Sequence, residues 1–177
     1  MSVDMLASRL KVSPEEIIRA ADRHTLDVQA WLSSRAPDAV RYVGEGIRAS
    51  STGLQVPLLN LALGCDFPPN ASESEIDNEI TTVKKFFDDR GVPWYWWIAD
   101  LARPTNIHDR LLQHGLAFDK PPLPAMVAPL PAEYDVVVPD DITVWEAKTH
   151  DDLVAASKIR HMAFRFPAGI ATDYFES

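Results

Sequence analysis

An unbroken apolar and aromatic run from Val92 to Ile98 dominates the hydrophobic pattern of this chain, and it ends at Ala99 and Asp100. The run is too short for a helix of ordinary length and too aromatic for a solvated loop, so it predicts a buried central strand. Helical patterns lie on both sides of it. The resulting order of strand, helix, strand and helix predicts a parallel strand pair within an α/β-type sheet.

The first long helix has a clear start signal. Ser13 is a capping residue, Pro14 suits the first helical position, and Glu16 can reach back to the backbone of the cap. We therefore predict a helix from about Pro14 to Ser34, preceded by a shorter amphipathic piece at 6–10. Its predicted buried face consists of apolar residues near helical spacing: Ile17, Ile18, Ala21, Val28 and Trp31.

Two further helices flank the aromatic run. The segment Ser72 to Glu75 predicts a cap for a helix that runs to about Arg90, and Gly91 suits the left-handed residue beyond its end. This helix carries an apolar stripe on one face: Ile76, Ile80, Val83 and Phe87. After the aromatic run, Asn106 is predicted to cap a short helix that stops at Gly115.

The segment between the two long helices has the character of β-structure. Val40–Ala49 and Leu54–Cys65 predict strands joined by a turn at Ser50–Gly53, with a nearly continuous apolar strand over Val56–Leu63. Asn60 is the one polar residue inside that run. A buried amide must be hydrogen-bonded, so Asn60 either ties down a neighbouring loop or faces a cleft.

The C-terminal part of the chain indicates a domain boundary. Prolines break the apolar segment Leu116–Leu130, which favours an edge strand, and more prolines follow up to 139. We predict a first domain at 1–135, a linker at 136–141 and an incomplete second domain at 142–177. In the last of these, Ile142–Ala147 predicts a strand, and Thr149 predicts the cap of a helix that carries Leu153, Ala156, Ile159 and Ala163.

A strand and a helix without a sheet of their own expose apolar surface. We therefore expect residues 142–177 to dock on the first domain or to exchange between two copies of the chain.

Composition and charge exclude several classes of protein. The chain has 177 residues, of which 46% are hydrophobic and 24% charged, as in an ordinary globular protein. Its net charge of -9 argues against nucleic acid as a partner. The single cysteine, Cys65, cannot form an internal disulfide or a Cys-rich zinc site, which favours a reducing, cytoplasmic compartment. We expect neither a membrane span nor a signal peptide.

The sequence offers no convincing catalytic or metal-binding group. His108 and Asp109 are adjacent, so on a helix they point to different faces, and His108 and His114 do not have the spacing of a helical metal pair. Cys65 follows an apolar strand and precedes Asp66, whose charge would raise the pKa of the thiol. We expect a buried, inert thiol and predict no catalytic, cofactor-binding or metal-ligating residue.

The aromatic run is the best candidate for a binding surface. Strand alternation places Trp94, Trp96 and Ile98 on one face and Tyr95 and Trp97 on the other. The indoles either fill the core, because aromatics bury large apolar areas, or one of them faces a cleft and stacks on a substrate. The predicted cleft-lining residues are Asn60, Trp96 and Trp97.

Four segments together resemble the GCN5-related N-acetyltransferase (GNAT) superfamily, and more narrowly the N-terminal half of tandem-GNAT proteins. They are Val56–Asn60, Glu75–Arg90, Val92–Ile98 and Asn106–Leu116, the last with its helix followed by Gly115 and Leu116. Residues 142–164 are similar to the first strand and helix of a second GNAT domain.

The resemblance implies an α+β, three-layer fold with a mixed, mostly antiparallel sheet flanked by helices. In that fold the fourth and fifth strands are a parallel pair that splays apart, and acyl-CoA enters the gap between them. The reaction that the resemblance implies for the complete protein is acetyl transfer from acetyl-CoA to an amine.

The chain departs from the family where the CoA pyrophosphate would bind. GNAT domains use a glycine-containing loop whose backbone N–H groups face the phosphates at a helix start. The equivalent stretch here, Cys65–Glu75, has no glycine, two prolines that lack donors, and three carboxylates. We therefore expect no CoA binding in the family manner by this chain, with acetyl-CoA as the cofactor of the complete protein only.

The function expected from the resemblance is that of a non-catalytic N-terminal portion that shapes the acceptor pocket of an N-acetyltransferase. Its partner would be a missing C-terminal GNAT domain or a second copy of the chain, with a small-molecule amine as a possible ligand. Neither nucleic acid nor a membrane is expected as a partner. The alternative is a stand-alone, non-catalytic module that binds a small ligand or a protein.

Overall fold

The computed structural model describes residues 2–118, 126–128 and 137–166. The chain divides into two compact units, at 1–125 and 126–177. The predicted linker at 136–141 stays a prediction, and the edge strand predicted at Leu116–Leu130 lies mostly outside the described residues. Among the described residues, no helix is long and apolar enough to cross a membrane.

The described residues of the first unit form four α-helices and four strands. The helices are α1 (Val3–Leu10), α2 (Pro14–Ser33), α3 (Glu73–Asp88) and α4 (Ile107–Gln113). The strands are β1 (Val40–Val43), β2 (Ile47–Ser51), β3 (Asn60–Asp66) and β4 (Tyr95–Arg103). They form one sheet in the order β1-β2-β3-β4, in which β3 and β4 are parallel and the other pairs antiparallel. The α+β class and the parallel pair are thus confirmed.

The helix start signals are also confirmed. Ser13 with Glu16 and Ser72 with Glu75 form reciprocal capping boxes at the starts of α2 and α3. The four stripe residues of α3 are all buried, and Gly91 beyond its end has a positive φ of 61°. The stripe packs on one face of the sheet, where the register places Tyr42, Ala49, Ala62 and Trp96 side by side. This is the main core of the first unit.

Helix α2 is present, but its predicted buried face is partly wrong. Val28 is 37% exposed and Trp31 is 58% exposed. Only Ile17 and Ser33 of α2 are buried. The Arg35 guanidinium lies 5.1 Å from the centre of the Trp31 ring, so a charged neighbour covers part of this indole instead of the core.

The predicted strand boundaries between α2 and α3 need correction. The turn lies at Gly44–Gly46, not at 50–53, because Ser50 and Ser51 pair with Leu61 and Asn60 inside the sheet. Residues Pro57–Leu59 form a short 3₁₀ turn, so the strand predicted from Val56 begins only at Asn60. The fixed φ and missing N–H of Pro57 suit a helical first position better than a strand.

The aromatic strand also differs from its prediction as a buried central strand. β4 begins at Tyr95, continues through Asp100 to Arg103, and is the edge strand among the described residues. None of its residues is fully buried, because only one of its faces packs on the core. Asn106 precedes α4 as predicted, but its side chain makes no capping hydrogen bond.

The second unit contains α5 (His150–Phe164), which Thr149 and Asp152 cap reciprocally as predicted. Residues 142–147 are irregular, and Ile142, Val144 and Trp145 are exposed. The strand predicted there is therefore wrong: a strand needs a neighbour to pair with, and the described residues of this unit supply none. Docking or exchange of residues 142–177 stays a prediction.

Candidate ligand-binding groove

A groove runs between α2 and the sheet face opposite α3. Two of the cavities in the first unit, of about 280 and 350 Å³, share the residues Leu26, Arg48 and Leu63. They are therefore adjoining parts of one groove. We call the smaller part the narrow end and the larger part the wide end.

The floor of the groove is one row of the sheet. The register places Val43, Arg48, Leu63 and Trp97 side by side across the four strands. The first three line the narrow end, and Arg48, Leu63 and Trp97 line the wide end. Strand alternation explains this arrangement, because the neighbouring row, which contains Trp96, points into the core.

The wide end lies beside a bulge in β4. Ile98 pairs with Gly64, and the next pair is Arg103 with Asp66, so residues 99–102 of β4 stand against the single residue Cys65. Gly64 has a positive φ of 111°, and a Cβ there would lie 2.9 Å from the Gly46 carbonyl oxygen, which explains the glycine. Ala99, Leu101 and Ala102 line the groove at this irregularity.

The wide end contains an unpaired carboxylate, that of Asp22. Burial raises the pKa of Asp22, and the nearby charges of Asp100 and Asp66 raise it further, against a smaller opposite effect from Arg19. Asp22 makes no hydrogen bond or ion pair with another described residue. Arg19 is already shared between Glu15, at 2.9 Å, and Asp66, at 3.6 Å. Asp22 is thus available to a cationic group in the groove.

The charged side chains that line the narrow end are both basic. Arg41 and Arg48 line it together with Leu26, Ala30 and other apolar or small residues. The Arg41 guanidinium donates a hydrogen bond to the Ala30 carbonyl oxygen. Arg48 lies 3.9 Å from Asp27, and both side chains are more than half exposed. The positive charge at this end is therefore only weakly compensated.

The three predicted cleft residues lie in different surroundings. Trp97 lines the wide end of the groove. Trp96 lies on the core face, where its indole nitrogen donates to Cys65 Sγ at 3.1 Å. Asn60 is fully buried beneath a loop. The structure therefore brings only Trp97 of these three to the groove.

The amide of Asn60 is fully used by neighbouring groups. Its nitrogen donates to the carbonyl oxygens of Leu54, Val56 and Pro93 at 2.8–2.9 Å. Its oxygen accepts from Thr52 N and Ser51 Oγ at 3.0 Å. This geometry matches the first of the two alternatives, in which Asn60 ties down a loop.

Cys65 has the properties of the inert thiol that the sequence predicts. It is fully buried, and its pKa is raised to about 12. The main cause is burial, followed by the opposing hydrogen bond from Trp96 and the charge of Glu79. The predicted cause, the Asp66 charge, is therefore not the reason for the high pKa.

Several backbone donors of the loop that would hold a pyrophosphate are occupied. The N–H groups of Cys65 and Asp66 donate to the Gly46 carbonyl oxygen, and that of Phe67 donates to the Arg103 carbonyl oxygen. At the start of α3, the Ser72 N–H donates to Glu75 Oε2 at 2.7 Å. The carboxylate of Glu75 thus takes the position that an anion at this helix start would occupy.

Two polar clusters were not found from the sequence. Arg110 of α4, with a side chain only 8% exposed, contacts Glu73 and Asp77 of α3 at 2.9 Å. His114 Nε2 lies 3.2 Å from the same Asp77 carboxylate. Burial alone would raise the pKa of Asp77, but the hydrogen bonds from Arg110 and His114 outweigh it, and the pKa is lowered. This cluster joins two helices.

The second cluster stabilises the turn between β1 and β2. Glu79 Oε1 accepts from the Ile47 N–H at 3.1 Å and from the Gly46 N–H at 3.4 Å. Burial raises the pKa of Glu79 despite these bonds. Sequence spacing gives no signal for either cluster, because their members come from elements about 30 residues apart.

No group of three or more His, Cys, Asp or Glu side chains among the described residues is arranged to hold a metal ion. Comparison with known protein families, curated proteins and solved structures found no match to this chain.

Proposed function

We propose that this chain is the N-terminal, non-catalytic portion of a GNAT-family N-acetyltransferase, and that it shapes the acceptor pocket of the complete protein. The observation that supports this most directly is the order of elements: two helices, three antiparallel strands, a helix, a parallel strand and a short helix. The resemblance then assigns β3 and β4 to the fourth and fifth strands of a GNAT sheet.

The irregular pairing of β4 with β3 between Gly64 and Asp66 supports the same assignment. In the family this strand pair splays apart, and here the wide end of the groove opens beside the irregularity. Under this proposal the finer fold description is a GNAT-like sheet with a splayed parallel pair.

The wide end supplies chemistry that suits an amine. The Asp22 carboxylate has no ion-pair partner among the described residues, and a protonated amine would provide the missing charge. The Trp97 indole lines the same space and can attract a cation through its ring face. A small amine held between these two groups is the acceptor that we propose.

The cofactor would be bound elsewhere in the complete protein. The occupied N–H groups of Cys65, Asp66, Phe67 and Ser72, together with the Glu75 carboxylate at the start of α3, support the proposal that this chain does not bind CoA in the family manner. The proposed role leaves the chain without a catalytic residue. The general base and the donor that polarises the thioester would come from the C-terminal domain.

Two binding measurements test the proposal. Calorimetry with acetyl-CoA should show no micromolar, stoichiometric binding to this chain. Indole fluorescence should respond to a small amine such as spermidine, and the response should be lost in Asp22→Asn and in Trp97→Phe. Trp31→Phe is the matched control, because Trp31 is exposed outside the groove. An unchanged response in Asp22→Asn, or tight acetyl-CoA binding, would overturn the proposal.

The alternative is a stand-alone module that binds a small ligand or a partner protein. The Glu75 carboxylate that accepts the Ser72 N–H supports the module and the acetyltransferase portion equally, because neither requires this chain to bind CoA. The intact mass of the native species separates the two. A mass larger than 19.7 kDa by a further domain supports the acetyltransferase, whereas 19.7 kDa supports the module.

A further inference from the structure

We propose that the narrow end of the groove is a second binding site, which takes a small organic anion with an apolar body, such as a medium-chain carboxylate. Both charged side chains that line this site, Arg41 and Arg48, are basic, whereas the wide end is lined by aspartates as well as arginines. The proposal does not depend on the acetyltransferase assignment.

The shape of the cavity fits a small ligand. It encloses about 280 Å³, close to the lower end of the roughly 300–1,000 Å³ that is common for ligand clefts. Leu26 and Ala30 of α2 form one wall, and Val43 and Leu63 form the floor. These side chains are apolar, so the body of the ligand should be apolar as well.

Two arginines point to an anionic head group. Arg41 is opposite Ser50 and Arg48 is opposite Val43, so the two arginines are diagonal neighbours on the groove face. Diagonal neighbours on a sheet have Cβ atoms roughly 7–8 Å apart, within reach of a single carboxylate for two long side chains. A guanidinium also matches a carboxylate in shape and can bind it with two parallel hydrogen bonds.

The existing partners of these arginines leave room for a ligand. Arg41 donates to the Ala30 carbonyl oxygen, which is uncharged. Asp27 is the one carboxylate that pairs with either arginine among the described residues, at 3.9 Å from Arg48. A pair so long and so exposed contributes little, and a ligand carboxylate can replace it. Two basic side chains with no acidic residue among the lining contrast with the net charge of -9 of the whole chain.

The other ligand classes fit less well. A cation would meet two like charges at this end of the groove. Inorganic phosphate would place its oxygens against Leu26, Val43 and Leu63, whose apolar surface cannot donate hydrogen bonds. A neutral hydrocarbon would bury part of the arginine charge without compensation.

Calorimetry with octanoate tests the proposal, with octylamine as a probe of the same chain length and opposite charge. We expect saturable binding of one octanoate per chain. Octylamine is tested on Asp22→Asn, whose wide end has lost the Asp22 carboxylate, and it should show no saturable binding there. Arg48→Gln should weaken octanoate binding at least tenfold, and Arg41→Gln should do the same. Arg35→Gln is the control: it removes an arginine of α2's C-terminal flank that lies over Trp31, and octanoate affinity should not change.

Backbone amide shifts then locate the site. Octanoate should move the resonances of Ala30, Val43 and Ser50 more than those of α3. If Arg41→Gln fails to fold because it loses its bond to Ala30, Arg48→Gln still tests the proposal, because among the described residues the Arg48 side chain pairs only with Asp27, at 3.9 Å. Absence of saturable octanoate binding, equal affinity of octylamine for Asp22→Asn, or full octanoate affinity in Arg48→Gln would each overturn the proposal.

Discussion

The indole nitrogen of Trp96 lies 3.1 Å from the sulfur of Cys65, to which it donates a hydrogen bond. The contact joins β4 to the end of β3 at the bulge opposite Cys65. Trp96 also lies near Trp94, which stacks on Phe87 with ring centroids 4.4 Å apart. The aromatic strand is therefore fixed on its core face, and the opposite face carries Trp97 into the groove.

Because Cys65 is buried and its pKa is raised to about 12, the thiol should be almost unreactive in the folded protein. We expect Ellman's reagent at pH 8 to modify less than a few per cent of the protein in native buffer over an hour. The unfolded chain in guanidinium chloride should react completely within minutes. Native reaction at the rate of the unfolded chain would contradict this account of the thiol.

Asn60 should be among the residues most sensitive to substitution. Asn60→Ala removes the partner of the part-buried carbonyl oxygens of Leu54 and Pro93 and of the buried Thr52 N–H, whereas the Val56 oxygen keeps the Leu59 N–H. Each unsatisfied buried group costs about 1–3 kcal/mol, so we expect a loss of at least about 3 kcal/mol in the free energy of unfolding. Urea denaturation measures this loss.

Two further variants make the Asn60 test specific. Asn60→Asp keeps the acceptor for Thr52 but replaces the donor by a charge beside three carbonyl oxygens, and it should be as destabilising as Asn60→Ala at pH 7. Asn78→Ala, at an exposed position of α3, should change stability by less than about 0.5 kcal/mol. Equal effects at the two asparagines would show that the hydrogen bonds of Asn60 contribute little.

Arg110 should couple more strongly to Asp77 than to Glu73. Both carboxylates lie 2.9 Å from the guanidinium, but the Asp77 side chain is 42% exposed and that of Glu73 is 83% exposed. Screening by water weakens the more exposed pair. In double-mutant cycles with alanine we expect a coupling energy of about 1 kcal/mol for Arg110–Asp77 and less than about 0.5 kcal/mol for Arg110–Glu73. Equal coupling energies would contradict this account.

The helices could be predicted because their signals are local. Ser13, Ser72 and Thr149 each cap a helix through a glutamate or aspartate three residues later, and the sequence alone shows this spacing. The parallel pairing of β3 and β4 followed from the helix between them. Strand boundaries were less certain, because apolar runs continue past Pro57 and before Tyr95 without a change in hydrophobicity.

The groove could be predicted only in part. Strand alternation separated Trp96 from Trp97, but the sequence does not say which of the two faces the helix α2. The position of β4 at the edge of the described sheet, and the exposure of Val28 and Trp31, depend on how the elements pack. Arg110 and Glu79 act on elements distant in sequence, so no local pattern could have indicated their roles.

Glu79 gives the last prediction, a pH dependence of stability. Burial raises its pKa above the ordinary value of 4.5, so the folded protein holds a proton on this carboxyl more tightly than the unfolded chain does. The resulting stabilisation is present below pH 4.5 and is lost as the pH rises through the folded pKa. Glu79→Gln keeps an acceptor for the Ile47 N–H but removes the titration. The stability of the wild type relative to Glu79→Gln should therefore fall as the pH rises above 4.5.

Glu75 provides a control of opposite sign. Hydrogen bonds from Ser72 lower its pKa below 4.5, so its contribution is present above pH 4.5 and is lost as the pH falls below that value. Urea denaturation of the wild type, Glu75→Gln and Glu79→Gln across the acid range tests both signs together. If the stabilities of Glu79→Gln and the wild type differed by a constant amount at every pH, the pKa of Glu79 would be the same in the folded and the unfolded protein. Its bonds to the β1–β2 turn would then offset the cost of its burial in full.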